Sequence, residues 1–554
     1  MKKNILTKAA TVAVALLIVS GLSACGSSKK SVALQENGKP ESISIMATTI
    51  LTENNGHAEF CKAYEDLTGI KLTIEKPEHN QYYEKVGITF AAEEPADVIE
   101  LGSTYYPSYA AEGVLWDMTD AWESSDLYAN SDVVSEKTLK YVNGMRTDGD
   151  VVSAETEEEK DAVKDRIYGF PNQRGGGTVT YARKDWMDAL GIDVPTSYEE
   201  FYDMLKAFKT IGESEAKDSN GVTFKEKYKG QTIYPLTISG LISTESPYEI
   251  YLREFYQDAR PDIHYDKDKG KYVDGVLTEE MKAGLQRIED AWNDGLIDPQ
   301  AISNKTSTCR DKFQSGIVGC FNYWAGTWNR TLDKNLKQKD PTAEMIALPS
   351  FDVAKEYYIE RPAIAYVITN FCEHPEEVFE NFILYSHDGG EGQLLFTHGV
   401  EDVHYTVDER DASGNVTKAT ALPTMADAQT TFEKSFYDAA LSITEFDDPF
   451  ELDERIVTSL AVFDEYSELY DLPVMDSTVA EQLPDVETAK QQLLSNIVIE
   501  KMSVEEALAV YASDTERQRK VIMETLNGEY DEAEDAANIA ALTGSGSSAS
   551  EDEE

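Results

Sequence analysis

Apolar and polar residues recur along this chain with two different periods, and the changes of period mark its elements. Ile43, Ile45 and Ala47 recur at every second position, which predicts a strand with one buried face. A helical pattern follows through Phe60 to Leu67 and stops near Gly69, after which Leu72 and Ile74 alternate again. Tyr82 to Ala92 predicts a second helix, and beyond Pro95 the apolar Val98-Ile99 reads as a third strand. The opening is therefore β-α-β-α-β, the order of a parallel sheet covered on both faces. Such sheets take ligands beyond the carboxyl ends of their strands. Thr48-Thr49 and Gly102-Ser103-Thr104-Tyr105-Tyr106 are thus the first segments to inspect.

Later helices are equally well marked. Thr196 and Glu199 have capping-box spacing ahead of Phe201, Met204, Leu205 and Phe208, which share one face, and Ser503 with Glu506 repeats the signal. Met281, Leu285, Ile288 and Trp292 form a stripe ending at Gly295, and Val378, Phe382 and Leu384 suggest a helix after Pro375. These stripes are read as core. No repeat period is present.

At 554 residues the chain has room for three or four domains, and 41% hydrophobic with 10% aromatic residues argues for packed cores. The formal net charge of −52 repels phosphate and anionic lipid headgroups, which argues against nucleic acid as a partner and against attachment through a basic patch. Lys2, Lys3 and Lys8 precede an apolar run from Ala9 to Leu22, which is short for a membrane span of roughly twenty residues and fits a secretory signal. The run ends in Leu22-Ser23-Ala24-Cys25-Gly26, which resembles a bacterial lipobox. That resemblance implies cleavage before Cys25, lipidation of its thiol, and residence on the outer face of the bacterial cell membrane. Loss of three lysines with residues 1–24 would move the charge from −52 to −55. Residues 25–41 then read as the lipidated cysteine and a flexible tether, and 541–554 as an acidic disordered tail. Cys61, Cys309, Cys320 and Cys372 remain, with no recognisable disulfide framework.

Several stretches in fixed order carry a wider resemblance. They are Thr68 to Ile74, Ala96-Asp97-Val98-Ile99, Tyr109 to Thr119, Tyr168-Gly169-Phe170-Pro171 with Thr180 to Trp186, Gly295-Leu296-Ile297-Asp298-Pro299, and Gly319 to Trp324. Together they resemble the extracellular solute-binding proteins of family 1, lipoproteins that deliver carbohydrates to ABC importers. The resemblance covers roughly residues 43–530 and implies an α/β, two-lobed periplasmic-binding-protein-like fold of type II. Each lobe would be a sheet flanked by helices, joined by hinge crossings. Lobe 1 is expected over 43–171 plus about 350–400, and lobe 2 over 172–349 plus about 405–540. No cofactor and no catalysis are implied. The expected partners are a carbohydrate ligand, ABC permease subunits, and the membrane through the lipid anchor.

A sugar offers hydroxyls and apolar C–H faces, so its site needs aromatic platforms beside hydrogen-bonding side chains. Asn322-Tyr323-Trp324-Ala325-Gly326-Thr327-Trp328 supplies both, where the family contributes ligand contacts; the competing reading has a tryptophan simply filling the core. Thr49, Ser103, Thr104 and Tyr105 are candidates from the first lobe. Asn172 and Arg174 lie at the expected hinge beside Gly175-Gly176-Gly177, where glycine permits torsion changes and Arg can donate to several hydroxyls. Glu401 is a candidate at the cleft rim. The counterpart of a calcium loop found in some relatives, Asp218-Ser219-Asn220-Gly221, has too few carboxylates for an oxygen cage, and Asp266 to Tyr272 reads as a hairpin. The chain has no His-Glu-x-x-His zinc helix, no nucleophile elbow and no Cys-x-x-Cys. The rival readings are a receptor for peptides or other solutes, a surface glycoside hydrolase, and a structural adhesin.

Overall fold

The computed structural model describes residues 32–48, 55–78, 81–102, 105, 109–110, 113–129, 167–242, 253–351, 358–360, 364–425, 437–469 and 477–544. The first strands, β1 (Ser42–Met46), β2 (Lys71–Glu75), β3 (Val98–Leu101) and β4 (Phe170–Pro171), belong to one sheet. β5 (Thr178–Arg183) and β6 (Tyr234–Thr237) begin a second. β7 (Ile263–Asp266) and β8 (Lys271–Asp274) form the hairpin expected from Asp266 to Tyr272, and β9 (Val318–Trp324) with β10 (Met345–Ala347) completes the second sheet. After β11 (Tyr358–Glu360) the chain returns to the first sheet as β12 (Ala365–Ile368), then forms a hairpin of β13 (Tyr405–Arg410) and β14 (Val416–Ala421). A last strand, β15 (Ser467–Leu469), pairs with β11.

The first sheet has the order β2-β1-β3-β12-β4. β1 runs parallel to both β2 and β3, and the returning β12 is antiparallel to β3 and β4. The second has the order β10-β5-β9-β6, with β5 antiparallel to β9 and β6 parallel to it. Central position explains composition: all four residues of β3 and all six of β5 are buried, as strands covered on both faces must be.

Local signals set the helix ends. Helix His57–Thr68 stops where Gly69, at φ 79, takes the left-handed turn and donates its N–H to Glu65 O. Helix Tyr198–Lys209 is capped one residue later than its spacing predicts. Ser197 Oγ accepts the Glu200 N–H, while the Glu200 carboxylate reaches back to the N–H and hydroxyl of Thr196. Ser503 and Glu506 form the reciprocal capping box that their spacing predicts.

Two cores result. One gathers Ile43, Ile45, Phe60, Tyr64, Val98, Phe170, Phe382 and Phe396. The other, around β5 and β9, gathers Tyr181, Trp186, Phe208, Leu285 and Phe321, and the closing helices Ser477–Val498, Val504–Asn527 and Glu532–Thr543 also pack on it. The lobe boundaries differ from those expected. Phe351 and Tyr358 pack in the second core, so the chain rejoins the first near β12 rather than at about 350. Ile443 packs in the first core and His398 lies against Phe446 and Phe450, so lobe 1 runs past 400 to about 450. A stripe shows that a helix is amphipathic; it does not say which of two cores the stripe faces. The last helix extends to Thr543 and is capped by Gly544, inside the stretch expected to be tail.

Three crossings therefore join the lobes, between β4 and β5, between β10 and β12, and from Phe450 to the helix Glu454–Tyr466. None of Cys61, Cys309, Cys320 and Cys372 is joined in a disulfide, and burial pushes Cys61 up to about 11 and Cys372 to about 12.

β9 passes so close to its neighbours that Gly319 admits no side chain: a Cβ there would lie 2.3 Å from Phe208 Cδ2 and 2.8 Å from the Pro235 carbonyl. Gly319→Ala is expected to destabilise the chain by about 1–3 kcal/mol through overpacking, read as a lower urea midpoint with an unchanged slope.

Candidate functional site

The site is built where the ends of the two sheets meet the first crossing. On the first sheet its base is Glu100, an acid within the otherwise apolar Val98-Ile99-Glu100-Leu101 and only 1% exposed. One carboxylate oxygen accepts both the N–H (2.7 Å) and the hydroxyl (2.9 Å) of Thr48, just beyond β1. The other accepts Asn172 Nδ2 at 3.3 Å, just beyond β4. The hydroxyl of Tyr82 sits 2.8 Å from the carbonyls of both Met46 and Glu100, so it ties β1 to β3.

Beside this base lies an aromatic platform. Tyr105 stacks on Tyr83 with ring centroids 3.6 Å apart and planes within 10°, and Tyr105 is 39% exposed. The Tyr83 hydroxyl accepts the Gly102 N–H, and a Cβ at Gly102 would come within 2.7 Å of that oxygen, so a side chain there would displace the Tyr83 ring. Burial raises the Tyr83 phenol above its ordinary value, against the lowering effect of the Gly102 N–H, and the nearby Glu100 charge adds to the rise.

On the second sheet, Asn322 faces Thr180 across the β5–β9 ladder and donates Nδ2 to its Oγ at 3.1 Å. Trp324 ends the strand on the same face as Asn322, partly buried, and its carbonyl accepts the Tyr181 hydroxyl at 2.8 Å. Below them lie Tyr358, whose hydroxyl donates to the Leu348 carbonyl at 2.7 Å, and the buried Glu254.

The other candidates are placed differently. Tyr323 points to the opposite face of β9 and is 3% exposed, packed against Phe321 and Trp328 with its hydroxyl 3.0 Å from Arg310. Trp328 meets that ring edge-on at 5.0 Å and lies beneath the Arg310 guanidinium, so this pair takes the core-filling role. Arg174 does not point at Asn172 or Glu100; its guanidinium forms a two-pronged ion pair with Asp464, at 2.6 and 2.9 Å, on the helix Glu454–Tyr466. Glu401 is paired with Arg410 of β13. None of Gly175, Gly176 and Gly177 occupies the left-handed region here, so this conformation does not itself require them. Thr49, Ser103 and Thr104 lie outside the described residues, as does Cys25.

Asp218 is already committed. Its Oδ1 accepts the N–H groups of Asn220 and Val222, and Oδ2 lies 3.1 Å from the Thr342 hydroxyl and 3.4 Å from the Lys227 ammonium. Among the described residues no three His, Cys, Asp or Glu side chains converge on a metal-sized position. None of the described helices is long and apolar enough to cross a membrane.

Sequence reasoning missed Glu100, Tyr83, Thr180 and Glu254. Glu100 carried a readable signal, an isolated acid in a buried strand, because an ionisable group there must be answered by donors. The others carried none, since each owes its position to a partner far away in sequence.

Two α/β lobes joined by three crossings, with polar and aromatic groups gathered where the crossings leave the sheets, define a two-lobed solute-binding architecture. Residues 53–383 match the family model for bacterial extracellular solute-binding proteins, and the chain belongs to that family. It is 23% identical over 307 residues to Lipoprotein LipO of Bacillus subtilis, covering 55% of this chain and 54% of that one. It is 28% identical over 223 residues to the diacetylchitobiose binding protein DasA of Streptomyces coelicolor, covering 38% and 44%. The chain thus spans about half the length of the curated relatives it matches. Among solved structures, an HMO-binding ABC-transporter-associated solute-binding protein from Bifidobacterium longum infantis matches with TM-score 0.62 and 15% identity over 88% of this chain and 99% of that one. The alginate-binding protein AlgQ2, solved without calcium ion, matches with TM-score 0.58 and 16% identity over 91% and 100%.

His387 lies under the first crossing, fully buried between Phe170 and Tyr437, with Nδ1 2.9 Å from the Ile383 carbonyl. Burial holds it at about 4, below the ordinary 6.5. Between those values the unfolded chain binds a proton that the folded chain does not, so stability falls as pH drops from about 6.5 towards 4, by up to about 3 kcal/mol. Urea midpoints measured across that range should show the loss, and His387→Gln should flatten it.

Proposed function

We propose that the chain is a lipid-anchored receptor that captures a carbohydrate, an oligosaccharide in particular, and delivers it to an ABC importer without breaking a bond. The observation that carries this reading is the exposed Tyr83–Tyr105 stack beside the Glu100–Asn172 pair. It offers a flat apolar platform next to fixed hydrogen-bonding groups, the combination that sugar rings need. Membership in a solute-binding family supports it, as do relatives named for binding diacetylchitobiose, HMO and alginate. The apolar run ending at Cys25 and the likeness to Lipoprotein LipO support the anchor.

A two-lobed receptor needs only that ligand bind the closed arrangement better than the open one, since a ligand shifts an equilibrium by that difference alone. Each lobe then presents one face to one permease subunit.

A glycan present at a hundred times its dissociation constant should stabilise the purified chain by about 2.7 kcal/mol, visible in a thermal-unfolding panel of neutral and acidic oligosaccharides. The expected result is a shift with one glycan class and recovery of that glycan intact by chromatography. A shortened glycan would make the protein a hydrolase, and a flat panel would move the reading to peptides or other solutes. Cys25→Ala is expected to shift the chain from the membrane fraction to the soluble fraction.

A further inference from the structure

Asn172 and Asn322 share an arrangement on the two sides of the first crossing. Asn172 is 8% exposed; its Nδ2 is held by Glu100, and its Oδ1 receives no hydrogen bond among the described residues. An ionised carboxylate only accepts, so the amide cannot turn over without setting oxygen against oxygen. Asn322 is 2% exposed; its Nδ2 is held by Thr180 Oγ, and its Oδ1 likewise receives nothing among the described residues. Both amides are thus anchored through their NH2 groups, one to a buried acid and one to a buried hydroxyl. What each has left over is a carbonyl oxygen, and a buried acceptor left without a donor is destabilising.

We propose that Glu100 and Thr180 are positioning residues that hold the Asn172 and Asn322 carbonyl oxygens towards the ligand, so that the site selects neutral sugars bearing O–H or amide N–H donors over hexuronates. This rests on the carbohydrate reading above. A uronate carboxylate would bring lone pairs against two acceptor oxygens and towards the buried Glu100, whereas a hydroxyl or acetamido group supplies the missing protons. Selection comes from the repulsive arrangement as much as from the attractive one.

The test is calorimetric titration of the full chain with matched-length sets of neutral hexose and N-acetylhexosamine oligosaccharides and of hexuronates. Neutral members should bind at least about tenfold more tightly, because a site built to accept hydrogen bonds rejects a ligand that cannot donate them. Asn322→Asp keeps acceptor oxygens in place and can accept the Thr180 hydroxyl proton in exchange for the lost amide donor, so it should bind the neutral ligand within about threefold of the parent, and Asn322→Leu should lose at least about tenfold. Glu100→Gln can donate as well as accept, so it frees the Asn172 amide to turn; it should weaken neutral binding and narrow the preference while leaving the unliganded melting temperature near that of the parent. The asparagine pair keeps the test decisive if that variant fails to fold. The proposal is overturned if Asn322→Asp is as weak as Asn322→Leu, if Asn322→Leu binds like the parent because water satisfies the oxygen, or if hexuronates bind as tightly as neutral glycans. If the parent binds neither set, the carbohydrate reading itself fails and this inference falls with it.

Discussion

The carboxylate of Glu100 is the constraint on which the edge of the first sheet beyond β1 and β4 depends. A charge buried to this degree is tolerated only when donors converge on it, and here three hydrogen bonds come from two separate pieces of chain. Thr48 at the end of β1 gives two hydrogen bonds, and Asn172 at the end of β4 gives a third. One side chain thereby fixes where two strands stop and how the first crossing sets out. Tyr82 supports the same spot through its hydroxyl, and its chain neighbour Tyr83 is left to carry the exposed stack with Tyr105.

The second lobe solves a similar problem differently. Its polar groups run down one face of the β5–β9 ladder, from Trp324 through Asn322 and Thr180 towards Glu254 and Tyr358. The opposite face of β9 is given to Phe321 and Tyr323, which pack into the core with Trp328. Strand alternation therefore divides one aromatic-rich motif into a half that faces the polar groups and a half that holds the lobe together.

That division also shows what the sequence could and could not reveal. The β-α-β-α-β opening was legible because Ile43, Ile45, Leu72 and Ile74 alternate and the first helix ends at a glycine, both local signals. Family order made the two-lobed fold legible. Tyr323 and Trp324 are adjacent, yet they face opposite sides of one strand, and composition alone does not settle which side is core. Arg174 carried the right chemistry for sugar hydroxyls, but its ion pair with Asp464 joins positions far apart in the chain. The boundary between lobes failed for the same reason, since Phe351 and Ile443 look alike as apolar residues and pack in different cores.

The three crossings also bear on how the protein is made. Because the first core includes both Ile43 and Ile443, the lobe that begins the chain cannot finish until the ribosome has passed residue 443. The second core likewise waits for Leu542. Contacts of such long sequence separation fold slowly, for the loops they close must be ordered before the contacts are gained. A nascent chain of this design keeps both cores open through most of its synthesis, where a protein of two consecutive domains would close its first core midway.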